Sequence, residues 1–259
     1  MDTHTFNRIR QAWSDFVKDA DPDKYNLDLS TRFPFLRFYE NSGIAFAILN
    51  NSNFRIIHQS RNFFEVVGID KKEFELHNTN AFIHAVKKDQ LNFFDILVEN
   101  FKEYWDLTPY ENRNGVVRTT FGLIMNHSTK GFISLHIKTN VLDLNEYFLP
   151  SYIFVVYQDV THLIKDDFYW FRFHNPELPD HLFAYHDGLK ETMKYDILST
   201  REKEILTLIA EGKSPEEIGN KLFISRITVN NHRQNMLNKI GVKDTTALVQ
   251  AAKMCFLIN

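Results

Sequence analysis

Side-chain amides are concentrated on one segment near the C-terminus, at the spacing of a helix surface. They are Asn230, Asn231, Gln234 and Asn238. Asn and Gln can form paired hydrogen bonds with adenine in the major groove, so a helix face of this kind is able to read bases. Val229, Met236 and Ile240 recur on the other side, which predicts that the helix packs on a core. A solvated polar face on an ordinary helical bundle is the alternative interpretation.

Cationic and hydroxyl side chains border the amides and are placed to contact phosphates. Phosphate contacts orient a protein on DNA without specifying a sequence. The candidates are Ser225, Arg226, Thr228, Arg233 and Lys239. From Lys194 to the end the sequence has ten Lys and Arg and seven Asp and Glu, so the net charge of this part is +3. The whole chain has a net charge of −3. The C-terminal part is therefore basic and the preceding part acidic.

The sequence contains no pattern that predicts catalysis. It has no Gly-rich phosphate loop, nucleophile elbow or metal-ligand spacing, so we expect no enzyme, no catalytic residue and no metal. The single cysteine, Cys255, excludes an internal disulfide and a Cys-based zinc cluster, and it lies too late in the chain to serve a flavin-thiol photosensor. His77 and His84 are conceivable haem ligands, but isolated histidines near helices are more typical of structural roles. We predict no cofactor.

Local signals predict four short helices in residues 196–259. Ser199 and Glu202 form a capping-box pattern, and Ser214 followed by Pro215 is typical of a helix start. Ser225 is suited to cap a third helix, which Gly241 would end. Four helices with such short connections, the second and third in a tight pair, are what a helix-turn-helix unit requires.

Several segments of this region occur in the order and at the spacing of one known domain. They are Leu198-Ser-Thr-Arg-Glu-Lys-Glu-Ile-Leu, Ala210-Glu-Gly-Lys-Ser, Glu217-Ile-Gly, Leu222-Phe-Ile-Ser, Thr228-Val229, His232-Arg233, Lys239-Ile-Gly-Val and Ala247. With these motifs, residues 196–259 resemble the LuxR-type DNA-binding domain. The resemblance implies sequence-specific binding of double-stranded DNA, usually as a homodimer on a two-fold site, with the third helix in the major groove.

The resemblance also places the fourth helix at the dimer contact. Small apolar residues share one side of that helix: Ala247, Leu248, Ala251 and Ala252. They are the candidate dimer contact, and packing within the domain is the alternative.

Residues 35–162 alternate between predicted strands and helices. Ile44–Leu49 and Phe54–His58 read as a hairpin, and three strands are predicted at 116–125, 132–141 and 152–158. With Asn62-Phe-Phe-Glu-Val-Val-Gly68, Phe82-Ile-His84 and a closing Asp159-Val160-Thr161, this region resembles a PAS domain, although Ala85 stands where the family's motif has proline. The resemblance implies a five-stranded antiparallel sheet with helices on one face, which binds a small ligand or a partner. Ligand-binding residues are unknown.

The fold class predicted overall is α+β, with the PAS-like domain followed by the all-α LuxR-type domain. A helix and polar segment (1–34) precede them, and an irregular aromatic connector (163–195) joins them. The apolar runs are far below the roughly 20 residues of a membrane span, and no signal peptide is recognised, so we expect a cytoplasmic protein without a membrane partner.

The function these features predict is that of a one-component transcription regulator, with RNA polymerase as a further expected partner. One alternative replaces the PAS-like domain by an acyl-homoserine-lactone sensor, although the Trp-Tyr-Asp-Trp pocket pattern of that family has no match here. Another keeps the PAS domain for dimerisation or partner binding alone. A phosphorylatable receiver domain would need repeated strand-helix units with paired acidic residues after the first strand, and asparagines follow it here.

Overall fold

A computed structural model describes residues 44–113, 118–165, 168–175, 181–186, 191–194, 197–255 and 257–258. The helix predicted over 4–18 and the polar segment after it lie outside these residues. The described residues form two compact units. The first contains residues 44–159 and 173–175, and the second contains residues 160–172 and the described residues from 181 onward.

Five antiparallel strands of the first unit lie side by side in the order β2-β1-β5-β4-β3. Their bounds are Ala45–Asn50 for β1, Arg55–Gln59 for β2, Arg118–His127 for β3, Gly131–Leu144 for β4 and Pro150–Asp159 for β5. The antiparallel pairing confirms the predicted α+β class. It also excludes the repeated parallel strand-helix units of a receiver domain within the described part of this unit.

Four helices connect β2 to β3. They are α1 (Phe63–Val67), α2 (Lys71–His77), α3 (Thr79–Ala85) and α4 (Leu91–Leu107). Local signals set their ends: the Asp70 carboxylate accepts hydrogen bonds from the backbone of Lys72 and Glu73, and Gly68 ends α1 in the left-handed conformation. Arg113 donates to the carbonyl oxygens of Trp105 and Thr108 and so caps the end of α4.

Strand register decides which residues meet these helices. Thr119, Thr139 and Val155 are cross-strand neighbours on β3, β4 and β5, and Phe121, Ile137 and Tyr157 form the next row. Tyr157 packs against Phe63 of α1, with 5.5 Å between ring centroids, so these rows lie on the helix side of the sheet. Alternate residues point to the other side, where a separate buried cluster contains Phe46, Ile48, Tyr152 and Phe154.

The connector differs from the sequence prediction. Residues 163–195 were predicted to be irregular, yet they contain β6 (Phe168–His174), β7 (His181–His186) and β8 (Glu191–Lys194). β7 and β8 pair antiparallel. The strand at 168–174 was missed because Phe168–Phe171 is apolar at every position, so it lacks the period-two alternation that marks a half-exposed strand. All four of these residues are buried, as the aromatic composition predicted.

The second unit contains the four predicted helices, which confirms that part of the sequence prediction. They are α5 (Thr200–Ala210), α6 (Pro215–Leu222), α7 (Arg226–Ile240) and α8 (Thr245–Met254). Each is capped as the sequence indicates: Ser199 and Ser214 form complete capping boxes, and the side chains of Ser225 and Asp244 accept backbone hydrogen bonds.

Residues 160–172 belong to the core of this helical unit. Val160, Leu163, Phe168 and Trp170 are buried in one hydrophobic cluster with residues from all four helices. The backbone is joined as well: Lys165 N donates to the Gly241 carbonyl at 2.7 Å, and Lys243 N donates to the Leu163 carbonyl at 3.3 Å. The segment that was predicted to begin the connector is therefore part of the folded C-terminal domain.

A second link lies at the other end of the same segment. Arg172 Nη1 donates to the Cys255 carbonyl at 2.8 Å, directly after α8. Cys255 itself is buried in the cluster, and burial raises the pKa of its thiol. A protonated thiol packed among apolar groups fits a packing role and not a redox role.

Candidate nucleic-acid interface

The turn between α6 and α7 is tight and depends on two unusual residues. Phe223 ends α6 in the left-handed conformation, with φ at 56°, and its side chain is 94% exposed. Gly219 is needed for the close approach, because a Cβ there would lie 2.7 Å from the Ile224 carbonyl oxygen. Ser225 then caps α7, its Oγ accepting from Thr228 N at 3.0 Å. This turn fixes α6 and α7 as a helix-turn-helix pair.

The faces of α7 follow the sequence prediction. Val229, Met236 and Ile240 are buried. Four amide residues are exposed on the opposite side: Asn231, Gln234, Asn235 and Asn238. Asn230 is half-buried beside them, and Gln234 Nε2 donates to Asn238 Oδ1 at 3.2 Å. The exposed amides are therefore available at the surface of the helix.

Two exposed residues of this face were left out of the predicted site. Asn235 follows Asn231 by four residues, so helical spacing places them together. Ile227 is 71% exposed at the start of α7. An aliphatic group at the surface of such a helix can contact the methyl group of thymine. Helical spacing placed Ile227 on or near this face from the sequence, and the same spacing could have indicated Asn235.

The predicted phosphate contacts divide into two groups. Arg226 is exposed and its Nη1 lies 2.8 Å from Glu216 Oε1 in a solvent-exposed pair, which costs little to exchange for a phosphate. Ser225 and Thr228 also stand at the start of α7, and their hydroxyl oxygens are 2.9 Å apart. Arg233 is half-buried on the flank near the core. Ser225, Arg226 and Thr228 thus lie together at the start of α7, and Arg233 lies about two turns further along the same helix.

Lys239 forms an ion pair inside the domain that the sequence did not predict. Its Nζ lies 2.8 Å from Glu202 Oε2, and the Glu202 side chain is only 5% exposed. The ammonium group thus ties the end of α7 to the start of α5. A buried carboxylate left without this partner would be costly, so Lys239 has a structural role inside the domain.

Glu202 accepts three hydrogen bonds at the same carboxylate oxygen. The donors are Lys239 Nζ, Ser199 N and Ser199 Oγ. Burial opposes ionisation of Glu202, but these hydrogen bonds and the Lys239 charge outweigh it and hold the pKa of the carboxyl below its ordinary value. The ionised form is therefore favoured by folding.

Replacing Glu202 is expected to destabilise the helical domain. Glu202→Gln keeps the size of the side chain but removes the charge paired with Lys239, so we expect a loss of about 1–3 kcal/mol in the free energy of unfolding at neutral pH. The matched control is Glu204→Gln, because Glu204 is exposed and pairs with Arg201 at 2.7 Å on the surface; its expected cost is about 0.5 kcal/mol or less.

The effect of pH gives the Glu202 prediction a second readout. Because the folded-state pKa is lowered, the stabilisation is complete above the ordinary carboxyl range and is lost as pH falls through the lowered pKa. Denaturant titrations of the wild type and both variants between neutral and acidic pH measure this. A Glu202→Gln cost equal to that of Glu204→Gln, or one that grows on acidification, would contradict the assignment.

The predicted dimer contact lies inside the domain. Ala247, Leu248, Ala251 and Ala252 are all buried in the cluster that contains Phe168 and Trp170. These four side chains therefore pack within the domain, and they offer no exposed surface to a second copy of the chain. A charge at Leu248, which is 0% exposed, would disrupt the core and so could not report on dimerisation alone.

The helical domain matches a known family. Residues 196–252 match the family of bacterial regulatory proteins, luxR family. The C-terminal domain is a LuxR-type helix-turn-helix domain. Its α7 corresponds to the third helix, which the sequence resemblance predicts to enter the major groove.

Curated relatives of the LuxR-type domain are transcription regulators by name. The chain is similar to the transcriptional regulatory protein LiaR of Bacillus subtilis, with 43% identity over 74 residues, 29% of this chain and 35% of the relative. It is similar to the uncharacterized transcriptional regulatory protein YhcZ of Bacillus subtilis, with 48% identity over 71 residues, 27% of this chain and 32% of the relative. The chain thus spans about a third of the length of these relatives.

A solved structure of Vibrio cholerae VqmA, described as a LuxR-type receptor, also aligns with this chain. The alignment covers 90% of this chain and 89% of VqmA, with 14% identity and a TM-score of 0.30. That score is too low to indicate a shared overall arrangement.

A second candidate site lies in the first unit, between the sheet and its helices. It is a cavity of about 180 Å³. Its described lining is Leu49, Asn51, Phe54, Ile56, Thr79, Phe82, Ile83, Phe94, Leu97, Val98, Phe101, Thr119, Phe121, Ile137, Thr139, Val141, Ile153, Val155 and Tyr157. His77 and His84, the two histidines considered as haem ligands, are exposed and do not belong to this lining.

The described part of the chain has neither a membrane-spanning helix nor a metal-binding cluster. None of its helices has both the length and the apolar composition needed to cross a bilayer. No group of three or more His, Cys, Asp or Glu side chains in that part is arranged to hold a metal ion.

Proposed function

We propose that this chain is a sequence-specific transcription regulator, which binds double-stranded DNA through α7 and carries a regulatory PAS-like domain in front. The observation that carries the proposal is the exposed amide face of α7, in particular Asn231, Gln234 and Asn238, on a LuxR-type domain. The tight turn at Gly219 positions the start of α7. We expect α7 to lie in the major groove, where its amides can recognise adenine.

The regulator acts as a homodimer in this proposal. One helix of 15 residues reads only a few base pairs, which is too little for useful specificity in a genome. Two copies on two-fold-related half-sites double the sequence that is read. In this proposal the protein binds its DNA target in the cytoplasm. It affects transcription through RNA polymerase as a partner, and it has no enzymatic activity.

The first unit supplies regulation in this proposal. Its five strands in the order β2-β1-β5-β4-β3, with helices on one side, support the PAS-like interpretation. The cavity between α3, α4 and the sheet favours ligand sensing over a domain that serves for dimerisation alone. An acyl-homoserine-lactone sensor is the other candidate, distinguished by its much longer ligand, which carries an acyl chain on a lactone ring.

Selection of binding sites from random double-stranded DNA tests the proposal. The full chain is expected to enrich one motif composed of two inverted half-sites, and a footprint on that motif is expected to protect both halves. Binding should weaken steeply as salt concentration rises, because phosphate contacts release counterions. Absence of any enriched motif would contradict sequence-specific binding, and an enriched single asymmetric half-site would contradict the homodimer.

A further inference from the structure

Two hydroxyl groups in the cavity wall have no hydrogen-bond partner among the residues that the structure describes. They belong to Tyr157 and Thr119. Only 5% of Tyr157 and 6% of Thr119 is exposed. Buried hydroxyl groups in native proteins almost always have a partner, so each such exception requires an explanation.

The other polar side chains of the lining are already engaged. The Asn51 amide donates to the Pro150 carbonyl at 3.0 Å, and the Thr79 hydroxyl donates to the Phe54 carbonyl. The Thr139 hydroxyl points to the Thr119 carbonyl at 3.5 Å. Tyr157 and Thr119 therefore differ from their neighbours in being unpaired.

The two hydroxyl-bearing residues stand on different strands of the same sheet face. Tyr157 belongs to β5 and Thr119 to β3, with β4 between them, and they occupy adjacent cross-strand rows. Two strand spacings across the sheet and two residues along it separate their backbones by about 12 Å. A molecule in the cavity can thus form a hydrogen bond with Tyr157 on β5 or with Thr119 on β3, while most of the remaining wall is apolar.

The rest of the wall excludes charge. Fourteen of the nineteen described lining residues are apolar, and the remaining five are uncharged. Burying an ion in such surroundings without an opposite charge would have a free-energy cost far larger than the stabilisation from apolar contacts. Burial also raises the pKa of the Tyr157 hydroxyl above its ordinary value, so this group stays protonated and uncharged at physiological pH.

The size of the cavity limits the ligand further. At about 180 Å³ it is comparable to engineered apolar cavities of about 150 Å³ that bind benzene. It is smaller than sites for drug-sized molecules, which occupy about 300–1,000 Å³. A haem or a flavin would not fit, whereas a molecule with one ring or a short chain would.

We propose that this cavity binds a small uncharged molecule, largely apolar and no larger than one substituted ring, through hydrogen bonds to Tyr157 or Thr119. The inference rests on the proposed function, because it gives the regulatory domain the chemical class of its signal. Such a ligand would complete the hydrogen bonding of the wall and fill the space between α3, α4 and the sheet.

Three probes of similar size test the chemical class on the full chain. They are 4-ethylphenol, which is uncharged with one hydroxyl, ethylbenzene, which lacks it, and 4-methylbenzoate, which is charged. Isothermal titration calorimetry is expected to give 4-ethylphenol a dissociation constant on the order of 0.1 mM, as suits a ligand of about nine heavy atoms. Ethylbenzene should bind more weakly and 4-methylbenzoate not at all. Binding of the benzoate as tight as that of the phenol would overturn the proposal.

Hydroxyl-deleting variants test the two anchors. Tyr157→Phe and Thr119→Val keep the volume of the side chain, and at least one of them is expected to weaken 4-ethylphenol binding by about 2- to 10-fold. Ethylbenzene binding should stay unchanged, because that probe makes no hydrogen bond. If both variants bind 4-ethylphenol as the wild type does, these hydroxyls are not the anchors.

A cavity-filling variant with a matched control tests the place of binding. Ile56 lines the cavity, whereas its neighbour Ile57 on β2 is an exposed residue outside the lining. Ile56→Trp is expected to reduce binding of both uncharged probes at least 10-fold, and Ile57→Trp is expected to leave it unchanged. Circular dichroism checks that both variants are folded. Equal binding by the two variants would place the probes elsewhere.

Failure of this inference can be told apart from failure of the proposed function. A chain that selects a DNA motif but binds neither uncharged probe overturns the ligand class and leaves the regulator standing. A chain that binds the probes as expected but selects no DNA supports the cavity assignment and overturns the regulator.

Discussion

A C-terminal fragment that starts at Met193 is expected to be far less stable than one that starts at Val160. The shorter fragment contains α5 to α8 but lacks Val160, Leu163, Phe168 and Trp170, which are buried in the same cluster as the helices. Each such side chain contributes about 1.5–3 kcal/mol by burial, and unfolded-state compaction makes the sum an upper bound. That loss is comparable to the roughly 5–15 kcal/mol that stabilises a whole domain.

The backbone links of the segment add to this effect. Ile164 forms a β-bridge with Val242, and Lys243 Nζ donates to the Thr161 carbonyl at 3.2 Å. Without these partners the α7–α8 loop loses hydrogen bonds that hold its shape. The boundary predicted from the sequence, at residue 196, would leave residues 160–172 outside the helical domain, whereas the observed packing includes them in it.

Thermal and urea unfolding of the two fragments, followed by circular dichroism, measures the difference. Within the longer fragment, Trp170→Ala is expected to cost about 3–5 kcal/mol because it opens a cavity in the core. His162→Ala is the control, since His162 is exposed in the same segment, and its expected effect is within about 0.5 kcal/mol. Equal stability of the two fragments, with an unaffected Trp170→Ala variant, would contradict the assignment of 160–172 to this domain.

The sequence predicted the helical domain well because its signals are local. Ser199, Ser214 and Ser225 cap helices through hydrogen bonds within four residues, and Gly241 ends α7 in the left-handed conformation as expected. The LuxR-type motifs predicted the same four helices independently. The amide face of α7 followed from helical spacing, which depends on no distant contact.

Several features that escaped prediction depend on residues distant in the chain. Lys239 looked available for a phosphate because Glu202, its partner, is 37 residues away. The burial of Leu248 among Phe168 and Trp170 could not be read from helix periodicity, which shows an apolar face but not what covers it. In the first unit, Tyr157 and Thr119 come to line the same cavity only through strand register.

Gln234→Ala on α7 is expected to weaken binding to the selected DNA site by about 1–3 kcal/mol and to relax the base preference at one position of each half-site. Gln234 is exposed on α7, and its amide nitrogen already donates to Asn238 Oδ1 at 3.2 Å, which orients both amides on the same face. A bidentate amide–adenine contact supplies discrimination of that size. Because the residue is solvent-exposed, the stability of the free protein should change by about 0.5 kcal/mol or less.

Gln250→Ala provides the matched control. Gln250 is also an exposed glutamine in a helix of the same domain, but it lies on α8, away from the amide face. The same truncation there should leave both affinity and base preference unchanged. Arg226→Ala is expected to behave differently from either, lowering affinity for all sequences alike and reducing the salt dependence, because its exposed guanidinium is placed for a phosphate. Titrations of selected and scrambled DNA at two salt concentrations distinguish the three outcomes. If Gln234→Ala weakens binding to selected and scrambled DNA equally, the assignment of base recognition to the amide face of α7 is wrong.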